Sequence, residues 1–167
     1  MAGSRRGAQG YIALLLVLAI IVLSIGTYLR WWHLGFIVQP LIFPHWLGYI
    51  GALYLAVFTP IYAVLKRRSP GRMRTLLTVH VFGNLLAFLL ISVHYAHHLG
   101  RPPEFAPTLG TGLTLYIIVV IMVATGLMQW YRLGSRLLRT WRFVHVGLSL
   151  SFYILVIMHI LITLGMI

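Results

Sequence analysis

The sequence contains no cysteine and, among its 167 residues, a single acidic residue, Glu104. Without cysteine the chain cannot form disulfide bonds, thiolate metal sites or iron–sulfur clusters, and it cannot attach haem covalently through thioethers. With one carboxylate side chain it cannot supply a pair of acidic catalytic groups, and a proton relay made of carboxylates is not expected. These absences exclude thiol-based cofactor sites and paired-acid chemistry.

Charged residues are scarce as a class: they make up 8% of the chain, whereas 60% of the residues are hydrophobic and the mean hydropathy is +0.95. Soluble domains carry about 25% charged residues, so this composition is typical of a membrane protein. A membrane-spanning helix needs roughly 20 apolar residues, and five segments meet that length: residues 11–33, 44–65, 75–98, 109–131 and 141–165. The sequence therefore predicts an all-α membrane protein with five transmembrane helices.

The thirteen lysines and arginines give a formal net charge of +12. They are concentrated before the first span, at Arg5 and Arg6, and in the segments 66–74 (KRRSPGRMR) and 131–142 (YRLGSRLLRTWR). Basic loops of membrane proteins face the cytoplasm and its anionic lipids. We therefore predict a multi-pass protein of the plasma or inner membrane, with the N-terminus inside and the C-terminus outside, that contacts lipid and no nucleic acid.

An internal repeat relates the second half of the chain to the first. When the sequence is shifted by 65 residues, segment 74–94 (RTLLTVHVFGNLLAFLLISVH) aligns with segment 139–159 (RTWRFVHVGLSLSFYILVIMH). The matched pairs include an Arg-Thr entry and two histidines, namely Arg74/Arg139, Thr75/Thr140, His80/His145 and His94/His159. Two hairpins, about 44–98 and 109–165, then run in the same direction, as in parallel membrane repeats. This predicts a four-helix bundle over residues 44–167, preceded by a cytoplasmic tail and an additional helix over residues 1–43.

The two histidines of each repeat are fourteen residues apart. In an α-helix this spacing amounts to a rotation of about 1400°, about 40° short of four full turns, and a rise of about 21 Å. Both imidazoles of a helix therefore lie near one face, and one lies near each surface of a hydrocarbon core of about 30 Å. His80 is then level with His145 near the cytoplasm, and His94 with His159 near the outer surface. Two facing imidazoles at each level predict two bis-histidine haems.

Each of these residues also has a simpler interpretation. A single histidine within a membrane helix most often forms hydrogen bonds between helices; four histidines in two matched pairs favour ligation instead. Glycines within a turn of the inner histidines or fourteen residues apart on the fourth span leave room for a flat ring, but small residues also allow close helix packing. These glycines are Gly83, Gly147, Gly112 and Gly126.

With these histidines in place, the chain resembles the dihaem b-type bundle shared by respiratory cytochrome b and the ferric reductase-like transmembrane family. The likeness covers about residues 44–165 and depends mainly on the spacings His80/His94 and His145/His159. The segment TWRFVH (140–145) is similar to the W-R-x-x-H entry of the ferric reductase-like family, and HVFG (80–83) to the H-x-x-G of cytochrome b. The five spans lack a sixth helix and carry no flavin or nicotinamide domain, so we expect a subunit and not a complete NAD(P)H-driven reductase.

The resemblance implies two haem b groups, redox partner subunits in a respiratory or reductase complex, and a possible exchange of electrons with quinone. Haem propionates would favour cations at each interface: Arg74, Arg139 and Arg142 inside, and Arg101 with His97 and His98 outside. The positive-inside rule explains the inner arginines equally well. The outer histidines His33, His45, His97 and His98 would bind a metal or a further cofactor, or are simply solvated.

Three functions stay open at this point. The first is transmembrane electron transfer by a dihaem cytochrome subunit, without a catalytic residue of its own. The second adds reduction of ferric ion or oxygen at the outer haem. The third is a haem-free anchor or channel subunit.

Overall fold

The computed structural model describes residues 2–102, 104 and 110–166, except for the side chains of residues 2–6 and 135. The described part contains five helices long and apolar enough to cross a membrane. They are α1 (Ala2–Tyr28), α2 (Phe43–Arg68), α3 (Met73–Leu99), α4 (Gly110–Trp130) and α5 (Leu138–Thr163). The predicted all-α fold with five long apolar helices is confirmed.

Two local features differ from the sequence prediction. Helix α1 begins at Ala2, well before the predicted span at residue 11, because residues 2–10 contain no proline and continue the helix beyond its apolar part. Between α1 and α2, the short strands β1 (Ile37–Val38) and β2 (Leu41–Ile42) pair in antiparallel fashion. Two-residue strands are too short to give the alternating hydrophobic pattern by which strands are predicted.

The contacts divide the chain into two compact units, residues 1–107 and residues 108–167. In the first unit, α2 and α3 form a hairpin, and α1 packs on α3. The hairpin is closely packed at Gly51, where a Cβ atom would lie 2.8 Å from the carbonyl oxygen of Ala87. Leu55 and Leu85, 2% and 1% exposed, fill its core. Helix α1 and the hairpin belong to the same unit. The predicted boundary between residues 43 and 44 stays a prediction.

The second unit is the hairpin of α4 and α5. Val119 and Phe152, 2% and 3% exposed, lie in its core. Helix α4 ends through hydrogen bonds from the amides of Arg132 and Leu133 back to the last turn, and Arg132 adopts a positive φ of 54°. This left-handed cap, followed by Gly134 at 62°, reverses the chain into α5.

Candidate cofactor-ligating histidines

In the second unit, His145 of α5 contacts the backbone of α4. Its Nδ1 atom lies 2.9 Å from the carbonyl oxygen of Met122. A carbonyl oxygen can only accept, so Nδ1 carries the proton and Nε2 carries the lone pair. The ring reaches α4 because residue 126 is glycine: a Cβ atom there would lie 3.3 Å from the Cε1 atom of His145.

His159 repeats this arrangement fourteen residues further along α5. A Cβ atom at Gly112 would lie 3.4 Å from its Cε1 atom, and its Nδ1 atom forms a 3.0 Å hydrogen bond with the hydroxyl group of Thr111. From Gly126 to Gly112 is fourteen residues back along α4, and from His145 to His159 is fourteen residues forward along α5. Both histidines of α5 therefore face a glycine of α4 in one antiparallel register.

In the first unit, His94 of α3 is held in the same way by α2. Its Nδ1 atom lies 2.9 Å from the carbonyl oxygen of Pro44, which again fixes the proton on Nδ1 and the lone pair on Nε2. A Cβ atom at Gly48 would lie 2.8 Å from the Cγ atom of the ring. The structure thus adds Gly48 to the glycines that face a histidine.

These contacts follow one rule of helix geometry. A helical side chain covers the turn that precedes its own Cα, so a glycine four residues after a carbonyl leaves that carbonyl uncovered. Gly48 stands four residues after Pro44, and Gly126 four residues after Met122. Each glycine therefore gives an imidazole on the neighbouring helix access to a backbone acceptor.

His80 departs from this rule. Fourteen residues along α2 from Gly48 stands Tyr62, and its ring stacks on the ring of His80, with centroids 4.2 Å apart and an interplanar angle of 15°. The amide nitrogen of Asn84, one turn later on α3, lies 3.5 Å from Nδ1 and 3.4 Å from Nε2 of His80. His80 therefore contacts an aromatic ring and an amide donor where His94 contacts a glycine and a carbonyl.

Within each unit, the histidines make hydrogen bonds of the kind that metal-ligating imidazoles make. A ligating histidine donates its second ring N–H to a carbonyl, carboxylate or water, which fixes the tautomer and strengthens the ligand. Backbone carbonyls have this role at His94 and His145, and the hydroxyl of Thr111 contacts His159. All four rings are half-buried. The histidines present would therefore fit a haem iron, which His94 and His145 could hold through Nε2.

The other two predicted glycines lie elsewhere. A Cβ atom at Gly83 would collide with the hydroxyl group of Tyr54, so this glycine makes room for a tyrosine of α2. A Cβ atom at Gly147 would meet no described atom within 4 Å. Among the described residues, the glycines that face one of the four repeated histidines are Gly48, Gly112 and Gly126.

The predicted inner arginines are exposed and lie in the first turns of their helices: Arg74 in α3, and Arg139 and Arg142 in α5. At the other end of α3, the side chain of Arg30 donates a 2.8 Å hydrogen bond to the carbonyl oxygen of Gly100. Arg101 follows directly and is half-buried. The propionate role of the arginines stays a prediction.

Three of the outer histidines gather beside His94. The ring centroid of His98 lies 4.7 Å from that of His94, 4.9 Å from that of His45 and 5.7 Å from that of His97. His33 is exposed in the segment after α1. Among the residues that the structure describes, no group of three or more His, Cys, Asp or Glu side chains is placed to hold a metal ion.

Sequence reasoning missed the residues that hold the histidines. Gly48 and Tyr62 are fourteen residues apart on α2, as Gly112 and Gly126 are on α4, but a search for paired glycines finds only the second pair. The carbonyls of Pro44 and Met122 have no sequence signal of their own. Only their position four residues before a glycine could have indicated them.

Comparisons of this chain with models of protein families, with curated proteins and with solved structures found no match.

Proposed function

We propose that this chain is a dihaem b-type membrane cytochrome that transfers electrons across a membrane. His80 and His145 ligate the inner haem, and His94 and His159 ligate the outer haem. The observation that carries the proposal is the shared register of the two hairpins: in each, two histidines fourteen residues apart meet residues fourteen apart on the partner helix. An isolated packing histidine does not require such a repeat.

Haem iron supplies one-electron chemistry when it is bound, and the protein adjusts it through the axial ligands, their hydrogen bonds and burial. The carbonyls of Pro44 and Met122 hold His94 and His145 in the tautomer that ligates through Nε2. The long helices are apolar, and their side chains would exclude water from a bound haem. This chain therefore contributes ligands, orientation and a medium of low dielectric constant.

The pairing of ligands across the two hairpins depends on the sequence repeat, in which His80 corresponds to His145 and His94 to His159. Electron transfer across the membrane through two such sites would need a donor at one end and an acceptor at the other. We therefore include partner subunits of a respiratory or reductase complex in the proposal, with membrane quinone as a further possible donor or acceptor.

The haem content of the purified protein tests the proposal. We expect two haem b per chain by the pyridine haemochrome assay, after expression in cells supplied with a haem precursor. A second measurement adds hemin to the detergent-solubilised protein and follows the low-spin absorption bands. A protein that carries no haem as isolated, and binds none on addition, is instead the haem-free anchor or channel subunit.

The proposal also places the basic loop between α2 and α3 in the cytoplasm and the C-terminus outside, since basic loops stay inside. The chain has no cysteine, so one introduced cysteine is the only thiol that can be labelled. We expect a membrane-impermeant maleimide to label Met166→Cys, and not Gly71→Cys, in right-side-out vesicles. Both positions are exposed, and detergent should allow both to react. Labelling of Gly71→Cys alone would show that the chain has the opposite orientation.

A further inference from the structure

The ring of His80 stacks on an aromatic ring at the place where the other three proposed ligands face a glycine. The ring of Tyr62 lies nearly parallel to it at 4.2 Å. The corresponding positions opposite the other three ligands are occupied by Gly48, Gly112 and Gly126. The two ligand levels are therefore built from different residues, although the hairpins repeat.

The side chain of Tyr62 explains why His80 is held differently. A side chain at position 62 covers the turn before it and hence the carbonyl four residues earlier, that of Phe58. The glycines at positions 48 and 126 uncover the equivalent carbonyls of Pro44 and Met122, and imidazoles donate to these. At position 62 the tyrosine ring occupies the space beside the imidazole and contacts it face to face.

Two neighbours limit the movement of this stacked pair. The ammonium group of Lys66, one turn later on α2, lies 5.9 Å from the centroid of the Tyr62 ring, within the range of a cation–π interaction. The amide nitrogen of Asn84 lies beside the His80 ring on α3. Tyr62 and His80 are both half-buried, so lipid and water reach only part of the pair.

We propose that Tyr62 is a positioning residue that fixes the plane of the His80 imidazole and makes the inner haem site chemically distinct from the outer one. This inference depends on the proposed haem ligation. A ring stacked on another cannot turn about its Cβ–Cγ bond without losing the contact. The plane of an axial imidazole sets the splitting of the iron d orbitals in a low-spin ferric haem, and ligand burial is one of the factors that set its potential.

Removal of the ring should therefore change the inner haem without removing it. In Tyr62→Leu we expect both haems to bind, with a shift in the low-spin ferric EPR signal of the inner haem and a fall in its midpoint potential. The potential falls because a less covered ligand admits water, which favours the more highly charged ferric state. In Tyr62→Phe, which keeps the ring and loses only the hydroxyl group, both quantities should remain at their wild-type values.

Assignment and controls come from the same chain. The signal that disappears in His145→Leu belongs to the inner haem. Tyr49→Leu replaces another half-buried tyrosine of α2 and should change neither haem. If Tyr62→Leu gives no folded protein by circular dichroism, Tyr62→Met replaces it, because methionine is about as bulky as leucine and more flexible.

The outcomes separate the two proposals. An inner signal and potential that stay unchanged in Tyr62→Leu or Tyr62→Met overturn the positioning role, and so does a Tyr62→Phe protein that changes as much as the leucine variant. A wild-type protein without haem overturns the proposed function instead. Equal shifts of both haems in Tyr62→Leu would also contradict the inference, because Gly48 and Gly112 face the proposed outer ligands.

Discussion

Replacement of His80 or of His145 by leucine is expected to remove the same haem, and replacement of His94 or of His159 to remove the other. Each single variant should fall from two low-spin haems per chain to one, because a haem with only one protein ligand is lost or becomes high-spin. The double variant His80→Leu/His94→Leu should bind no low-spin haem. Haem content and the EPR spectrum of the oxidised protein measure both effects.

The pairing makes this experiment discriminating. The spectra of His80→Leu and His145→Leu should match each other and differ from those of His94→Leu and His159→Leu. His33→Leu, a change at an exposed histidine outside the repeat, is the control and should keep both haems. If His80→Leu and His94→Leu removed the same spectral component, the proposed pairing of His80 with His145 and of His94 with His159 would be wrong.

Substitution of Gly48 by alanine is expected to have the second largest effect. The added Cβ atom would lie 2.8 Å from the Cγ atom and 2.9 Å from the Nδ1 atom of His94, so the ring must move away from the carbonyl oxygen of Pro44. Overpacking of this kind costs about 1–3 kcal/mol, and the lost hydrogen bond adds about 1 kcal/mol. We expect most of the outer haem to be lost, and the inner haem to remain, by haem assay and EPR.

The other glycines supply a graded series. At Gly112 the nearest contact of the added Cβ atom is 3.4 Å, to His159, so Gly112→Ala should weaken the outer haem less than Gly48→Ala does. Gly110→Ala, two residues earlier on α4, meets no described atom within 4 Å and should retain both haems. Equal haem content in Gly48→Ala and Gly110→Ala would show that the close approach of His94 to α2 is not needed for ligation.

The helices could be predicted because a helix that spans a bilayer needs a long apolar segment, and the sequence of each span contains one. The common face of His80 and His94 could be predicted because fourteen residues are close to four helical turns. The hairpin β1–β2 could not, since two residues per strand carry no periodic signal. Its turn and strands are recognised only in three dimensions.

The contacts that hold the histidines were harder to predict for a different reason. A backbone carbonyl is present at every residue, so nothing in the letters Pro44 or Met122 shows which carbonyl accepts a bond. The accepting carbonyl is the one left uncovered because Gly48 or Gly126, one turn later, has no side chain. Tyr62 could not be found from the repeat, because the 65-residue shift aligns it with Leu127 and not with Gly126.

The contacts of His94 with Pro44 and of His145 with Met122 each lie within one helical hairpin. Their orientation is therefore settled by segments that follow each other along the chain, with only a short loop to close. These side chains lose their conformational entropy when each hairpin forms. A ligand of either hairpin would therefore meet preorganised donors, and less of its binding free energy would be used to order these side chains.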